Sequence, residues 1–270
     1  MSESVSLQRQ AWLRARKRAG AAVSLAQILL LVGLFLLWEV AARLRWVDAF
    51  IVSSPSRIWR TLVNLWSTGE LWLHLGTSCV ETVAGFLLGT VAGAMIAVAL
   101  WMCPTLYRVL DPYLVVLNSL PKTALGPIFI VWMGAGPGAI IAMTLAISLV
   151  VTILEVHNGF RATDEGKLRL LRSLGATRTQ LLIKLVLPAN FTTLINALKV
   201  NVGLSWIGVI MGEFLVSRAG LGYLIVYGSQ VFKMDLVMAS VLLLAMAAAG
   251  MYQGILFLEK GLKNRLGVSE

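Results

Sequence analysis

Charge is what this chain of 270 residues has least of. Only 13% of it is Asp, Glu, Lys or Arg, against about 25% in a soluble domain. Hydrophobic residues make up 58%. The imbalance excludes an ordinary water-soluble enzyme, a disordered chain and a collagen-like one, and it indicates a protein with several membrane spans. Cysteine is nearly absent. Cys79 and Cys103 are too few and too far apart for a disulfide framework or a metal cluster, and read as small buried apolar residues. Histidine is as scarce. His74 and His157 lie in distant segments, so no Ser/His/Asp arrangement is credible. There is no G-x-x-x-x-G-K-[ST] phosphate loop, so ATP chemistry does not belong to this chain. Acidic side chains are in deficit, and the formal net charge is +10. In a membrane protein that excess reflects Lys and Arg collected in cytoplasmic loops rather than affinity for nucleic acid.

What is present is a series of apolar runs. Ala19 to Trp38 holds twenty residues without a charge, enough at 1.5 Å each to cross a hydrocarbon core of about 30 Å. A signal peptide competes for this run, because Arg14, Arg16, Lys17 and Arg18 precede it; against that, no A-x-A-like cleavage site follows. Five further spans are expected, at Thr82–Tyr107, Asp111–Met133, Ala139–Leu154, Ala189–Met211 and Leu236–Leu258. Pro121 and Pro127 are expected to break the third, and Gly134–Gly138 to form a tight turn. Between the first two runs, Arg43–Leu75 is mixed, with the rhythm of a surface helix around Ile58–Leu62. The fold class is therefore all-α, with six transmembrane helices. The segments are a tail over 1–18, a membrane domain over 19–258 containing a cytoplasmic loop over 159–188, and a tail over 259–270.

With the N-terminus inside, fifteen Lys and Arg fall on the cytoplasmic side and six outside. Both termini are thus expected in the cytoplasm. Gly85, Gly89 and Gly93 recur every four residues in the second span, so they share one helix face and let another backbone approach. Lys122 and Lys199 sit inside apolar segments, and Glu81 and Glu213 near the expected outer ends of spans two and five. Charges in hydrocarbon face a cavity or a partner, so Asn118, Lys122, Lys199 and Glu213 are candidates for a translocation path. Snorkelling to the interface is the alternative for Lys122.

The basic loop carries the most local information. Glu165 to Leu174 is an amphipathic helix, with leucines at 168, 170, 171 and 174. Gly175 ends it. Thr177 and Gln180 have capping-box spacing and start a second helix, which runs to Leu187 and is expected to stop at Pro188. Two short helices around a glycine elbow suit a docking surface for a soluble partner. After Glu213, Leu221, Leu224 and Ile225 predict a further short helix, lying at the outer membrane surface against the spans.

The stretch Ser173-Leu174-Gly175-Ala176, followed by Leu187-Pro188, resembles the EAA loop of binding-protein-dependent ABC importer permeases. Ser54-Pro55-Ser56, His74, Ser78, Gly85-Phe86 and Gly89 extend the resemblance, as do Leu110-Asp111-Pro112, Leu120-Pro121, Trp132-Met133-Gly134-Ala135-Gly136, Gly212-Glu213 and Gly220-Leu221-Gly222. Within that family the chain is most similar to permeases of the nitrate, sulfonate and taurine type. The resemblance implies a type I importer fold and a pore made by this chain and a second copy of it. It also implies two ATP-binding cassette subunits that bind ATP and Mg, an extracytoplasmic solute-binding protein, and a place in the bacterial inner membrane. No cofactor is implied for this chain. It assigns Glu165, Arg169, Leu170, Leu171, Ser173, Leu174, Gly175, Ala176 and Pro188 to the ATPase-coupling loop. The sequence departs from the pattern at Arg169-Leu170-Leu171, where the acidic first residue of the triplet is missing, and at Glu81, where a basic residue is usual. A small anionic solute suits the intramembrane lysines. An ion-gradient-driven secondary transporter is the competing function; an inverted repeat would support it, and none is visible.

Overall fold

The computed structural model describes residues 2–266, and among these every regular element is helical. The first helix, α1 (Ser2–Arg43), is continuous through the basic N-terminal stretch, and its membrane-compatible part is Ala22–Arg43. Its far end is fastened to the next amphipathic element. Glu39 pairs with Arg43 at 2.8 Å and accepts the Ser56 amide at 3.0 Å. A short α2 (Ala49–Val52) leads to α3 (Pro55–Thr68), the surface helix expected around Ile58. Ser54 caps α3 through the Arg57 amide, and Pro55 sits in the first turn, where no amide donor is needed. Arg57 also pairs with Asp235, at 2.8 Å.

Helix α4 (Glu70–Met102) begins far ahead of the expected Thr82 and ends before Tyr107. Gly69, with φ +79°, separates it from α3. Its first turns are polar in sequence, but His74, Ser78 and Glu81 are buried among other helices. The third crossing is a broken one. Helix α5 (Pro104–Ser119) stops at an extended Leu120, as residues before proline do, and a 3₁₀ turn over Lys122–Leu125 feeds α6 (Gly126–Met133). The two arms meet at 90°. Pro121 makes the break; Pro127 does not, because it occupies the first turn of α6 and starts that helix.

Gly134, with φ +79°, turns the chain into α7 (Pro137–Arg161). The loop helices α8 (Glu165–Ser173), α9 (Arg178–Leu181) and α10 (Leu187–Ala189) follow. Then come α11 (Phe191–Val216), α12 (Leu221–Gln230) and α13 (Met234–Leu266), the last reaching into the stretch expected to be a tail. Among the described residues five helices are long and apolar enough to cross a membrane, and the bent α5–α6 pair makes a sixth crossing if counted as one span.

Helix α7 is the centre, with 56% of its most apolar window buried, against 6% for α1 and 11% for α13. The poorly covered helices therefore turn their leucines to lipid or to other chains. Helices α4 and α11 grip α7 from two directions through small residues. A Cβ at Gly85 would lie 2.5 Å from Thr144 Cγ2, one at Gly89 2.5 Å from Ser148 Oγ, and one at Gly93 2.8 Å from Thr152. From α11, a Cβ at Gly208 would lie 2.5 Å from the Thr144 Cα. The glycine row thus packs against a matching Thr-Ser-Thr row, and the close approach replaces the hydrophobic drive that is missing between helices in lipid. On the far side of α4, Phe86, Trp206, Ile210, Leu221 and Leu243 form the main apolar cluster.

Candidate coupling and translocation sites

The loop after α7 is built from local signals. Asp164 caps α8 by accepting the Lys167 amide at 2.9 Å. At its other end the Gly175 amide donates to the Arg172 carbonyl and the Ala176 amide to the Leu171 carbonyl, both at 3.0 Å. With Gly175 at φ +82° this is a Schellman closure. The capping box of α9 is complete: the Gln180 amide donates to Thr177 Oγ1 at 3.3 Å, and the Thr177 amide to Gln180 Oε1 at 2.8 Å. Pro188 does not stop the second helix. The chain widens into a π-turn over Leu182–Val186, and Pro188 is taken into the first turn of α10; the turn ends at Asn190. Asn190 then closes the loop at its base, donating to Thr163 Oγ1 at 2.7 Å and to the Val186 carbonyl at 2.9 Å.

The two faces of α8 differ. Leu168 packs inward with Val156, Phe160, Leu182 and Val186. Leu170 and Leu174 point outward, 61% and 74% exposed. Leu171 is partly covered, so the open apolar face is narrower than the leucine spacing implies. Glu165 and Arg169 pair with each other at 2.7 Å on the open surface, and Ser173 donates to the Leu170 carbonyl at 2.8 Å. Glu165 is thereby occupied within its own helix.

The four path candidates do not form one cluster. Lys122 lies at the bend between α5 and α6, donating to Asn118 Oδ1 at 3.3 Å on the exposed side of the chain. Lys199 is paired instead with Glu259 of α13 at 2.7 Å, and Lys263 shares that carboxylate at 3.1 Å. Its charge is neutralised between α11 and α13, a packing role that the sequence did not disclose.

Glu213 is 1% exposed and belongs to a buried polar knot. It receives the Ser78 hydroxyl and the Gly222 amide, each at 2.5 Å. Ser78 in turn accepts the Leu221 amide at 2.7 Å, and His74 Nδ1 accepts the Gly220 amide at 3.0 Å. The three amide donors that open α12 are thus satisfied by side chains of α4 and α11. A Cβ at Gly220 would collide with the Glu213 carboxyl. Glu81, expected near an outer end, sits three turns into α4, 6% exposed and beside Glu213. The spacing of 74, 78 and 81 on one helix face was the available signal. Helix α12 itself forms where Leu221, Leu224 and Ile225 predict it, with Leu221 and Leu224 buried against the bundle.

A bundle of long apolar helices, one of them broken, with a fixed two-helix projection at one end, defines a multi-span membrane permease. Residues 86–264 match the family described as binding-protein-dependent transport system inner membrane component, and the chain belongs to that family. It is 29% identical over 234 residues to a probable ABC transporter permease protein of Haemophilus influenzae, covering 86% of this chain and 95% of that one. It is 29% identical to the putative aliphatic sulfonates transport permease protein SsuC of Bacillus subtilis, covering 77% of this chain and 76% of SsuC. With the taurine transport system permease protein TauC of Escherichia coli the identity is 22% and the coverage 85% of each chain. Among solved structures, an inward-facing MetNI methionine ABC transporter aligns at 21% identity with a TM-score of 0.49, over 75% of this chain and 99% of the other. By the family match the chain is a permease subunit of the binding-protein-dependent ABC importer class. These relatives are transport subunits rather than enzymes, and the comparisons lend nothing to the ion-gradient alternative.

Proposed function

We propose that the chain pairs with a second copy to form the pore of an ATP-driven importer, with two ATPase subunits docked on the α8–α9 loops and a solute-binding protein at the opposite end. The observation that carries this reading is the outward face of α8. Leu170 and Leu174 are exposed on a loop that is capped at the start of α8, bonded at its base through Asn190 and packed through Leu168. A rigid projection with an open apolar pair fits a groove on a soluble partner. The α8–α9 end is then cytoplasmic, and both termini lie on that side of the bacterial inner membrane. ATP and Mg are held by the ATPase subunits and not by this chain. The solute is a small anion such as a sulfonate, taurine or nitrate. Lys122, at an exposed bend within the membrane segment, is the cation available to it once Lys199 is spent on Glu259.

Replacing Leu170 and Leu174 together by Asp tests the reading. The double variant should insert and fold, because neither side chain is packed, but lose the copurifying ATPase and the ATPase stimulation by loaded binding protein. Normal stimulated ATPase activity in that variant would remove the loop from the coupling mechanism.

A further inference from the structure

A second feature lies behind the coupling helix. A cavity of about 230 Å³ opens between the ends of α4 and α7, the start of α5 and the inner face of α8. Three guanidinium groups line it: Arg161 from α7, Arg172 from α8 and Arg178 at the start of α9. Leu100, Trp101, Pro104 and Leu168 supply its apolar wall. Two of the arginines are already oriented. Arg161 Nη1 donates to the Tyr107 hydroxyl at 3.1 Å and lies 5.3 Å from that ring's centroid, and Arg178 Nη1 donates to the Met102 carbonyl at 2.8 Å. Each keeps further N–H donors, since guanidinium carries five. His157 also lines the cavity. It is 3% exposed, stacks on Tyr107 at 4.1 Å, and its Nδ1 has no hydrogen-bond partner among the described residues. Asp111 of α5 acts on Tyr107 and His157, and among the described residues no acidic side chain forms an ion pair with Arg161, Arg172 or Arg178.

We infer that this cavity binds an anionic phosphate, supplied by the headgroup of a phospholipid in the adjoining leaflet. Arginine forks match phosphate oxygens in geometry as well as charge, and basic pockets between transmembrane helices take acidic headgroups. Its depth argues for a lipid. The cavity sits where α4 and α7 run out, and the orientation proposed above puts Trp101 and Pro104 of its wall near the water–hydrocarbon boundary. Its position on α8 argues against the ATPase as the ligand. Leu168 and Arg172 share the inner face of that helix, whereas the pair open to a soluble partner, Leu170 and Leu174, lies on the other. A bound phosphate joins α7 to α8 and α9, so it fixes the coupling loop to the bundle. The inference takes its leaflet from the orientation proposed above, but its test needs no ATPase.

The purified chain, stripped of lipid in detergent, would be titrated with phosphatidylglycerol and with phosphatidylcholine of the same acyl chains. Bound lipid would be read by native mass spectrometry and stability by thermal unfolding. Phosphatidylglycerol should be retained and should stabilise; the Arg161→Gln/Arg172→Gln variant should lose about thirtyfold in lipid affinity, from two surface arginines. Arg172→Gln alone, which removes no hydrogen bond found in the structure, should lose about fivefold and guards against misfolding of the double variant. Equal retention of the two lipids, or retention unchanged in both variants, overturns the site. Stabilisation by millimolar inorganic phosphate, with none by phosphatidylglycerol, overturns the lipid as its source. Loss of a copurifying ATPase in Arg172→Gln, with lipid retention intact, assigns the arginine to the protein partner and likewise overturns the inference.

Discussion

Two buried serines with the same exposure should respond in opposite ways to loss of the hydroxyl. Ser78 and Ser148 are both 0% exposed. Ser78 joins three helices: it accepts the Leu221 amide at 2.7 Å and donates to Glu213 at 2.5 Å. Ser148 packs its hydroxyl against Gly89, and Oγ has no partner. In Ser78→Ala the Leu221 amide is left without an acceptor beneath a fully buried side chain, and Glu213 loses one of its donors. The void left by one oxygen is too small and too poorly lined to hold a water. An orphaned buried amide costs about 1–3 kcal/mol, and Glu213, which keeps the Gly222 amide, loses about 1 kcal/mol more with its bond, giving about 2–4 kcal/mol. Most of that loss falls on the attachment of α12, because both bonds end there or one step away. At 1.4 kcal/mol per factor of ten, amide exchange in the first turn of α12 should accelerate by about thirtyfold to several-hundredfold. Exchange in the middle of α7 should change far less. Ser148→Ala removes an unsatisfied hydroxyl and should be neutral or slightly stabilising. Hydrogen-exchange mass spectrometry of both variants in lipid nanodiscs, beside thermal unfolding, reads the contrast. Equal protection of α12 in the two variants would refute the claim that Ser78 holds it.

Gly208→Ala places a methyl 2.5 Å from the Thr144 Cα, a backbone atom that cannot rotate away. It should cost about 1–3 kcal/mol, whereas Gly203→Ala, five residues earlier in the same helix with open space around it, should gain up to about 1 kcal/mol from helix propensity; their melting temperatures should therefore move in opposite directions. Lys122→Met removes a half-buried charge at the α5–α6 bend whose hydrogen bond among the described residues is to Asn118. Uptake into proteoliposomes should fall several-fold with the melting temperature unchanged, and intact uptake would show that Lys122 is outside the path.

The helical form of the α8–α9 loop was almost fully legible because its determinants are local. Thr177 and Gln180 lie three residues apart and cap one turn, and Gly175 acts within its own helix end. Pro188 misled for a reason of the same scale: proline stops a helix interior but is accepted in a first turn, and the π-turn before it supplies one. The number of crossings followed from apolar run length, while their ends did not. Helix α4 begins at Glu70 because Ser78 and His74 find partners on α12 and α11, more than a hundred residues along the chain. No window of hydropathy contains that information. Lys199 is the same case in charge: alone in sequence it marks a path, yet Glu259 neutralises it from another helix.

Thr144 touches both Gly85 and Gly208, so α4, α7 and α11 are locked through one point at a separation no larger side chain would permit. Sliding any one of them would drive a glycine face over the neighbouring Thr or Ser, and prising them apart would forfeit the dispersion along all three rows. The trio is mechanically a strut. Its members reach from the α8–α9 loop, which hangs from the ends of α7 and α11, to the knot that seats α12 at the far end. A stiff body of that length cannot absorb a displacement; it passes the displacement on or tilts as a whole. The compliance that transport demands must therefore reside in the thinly packed parts, above all the right-angled joint at Leu120–Pro121 and the outlying α1.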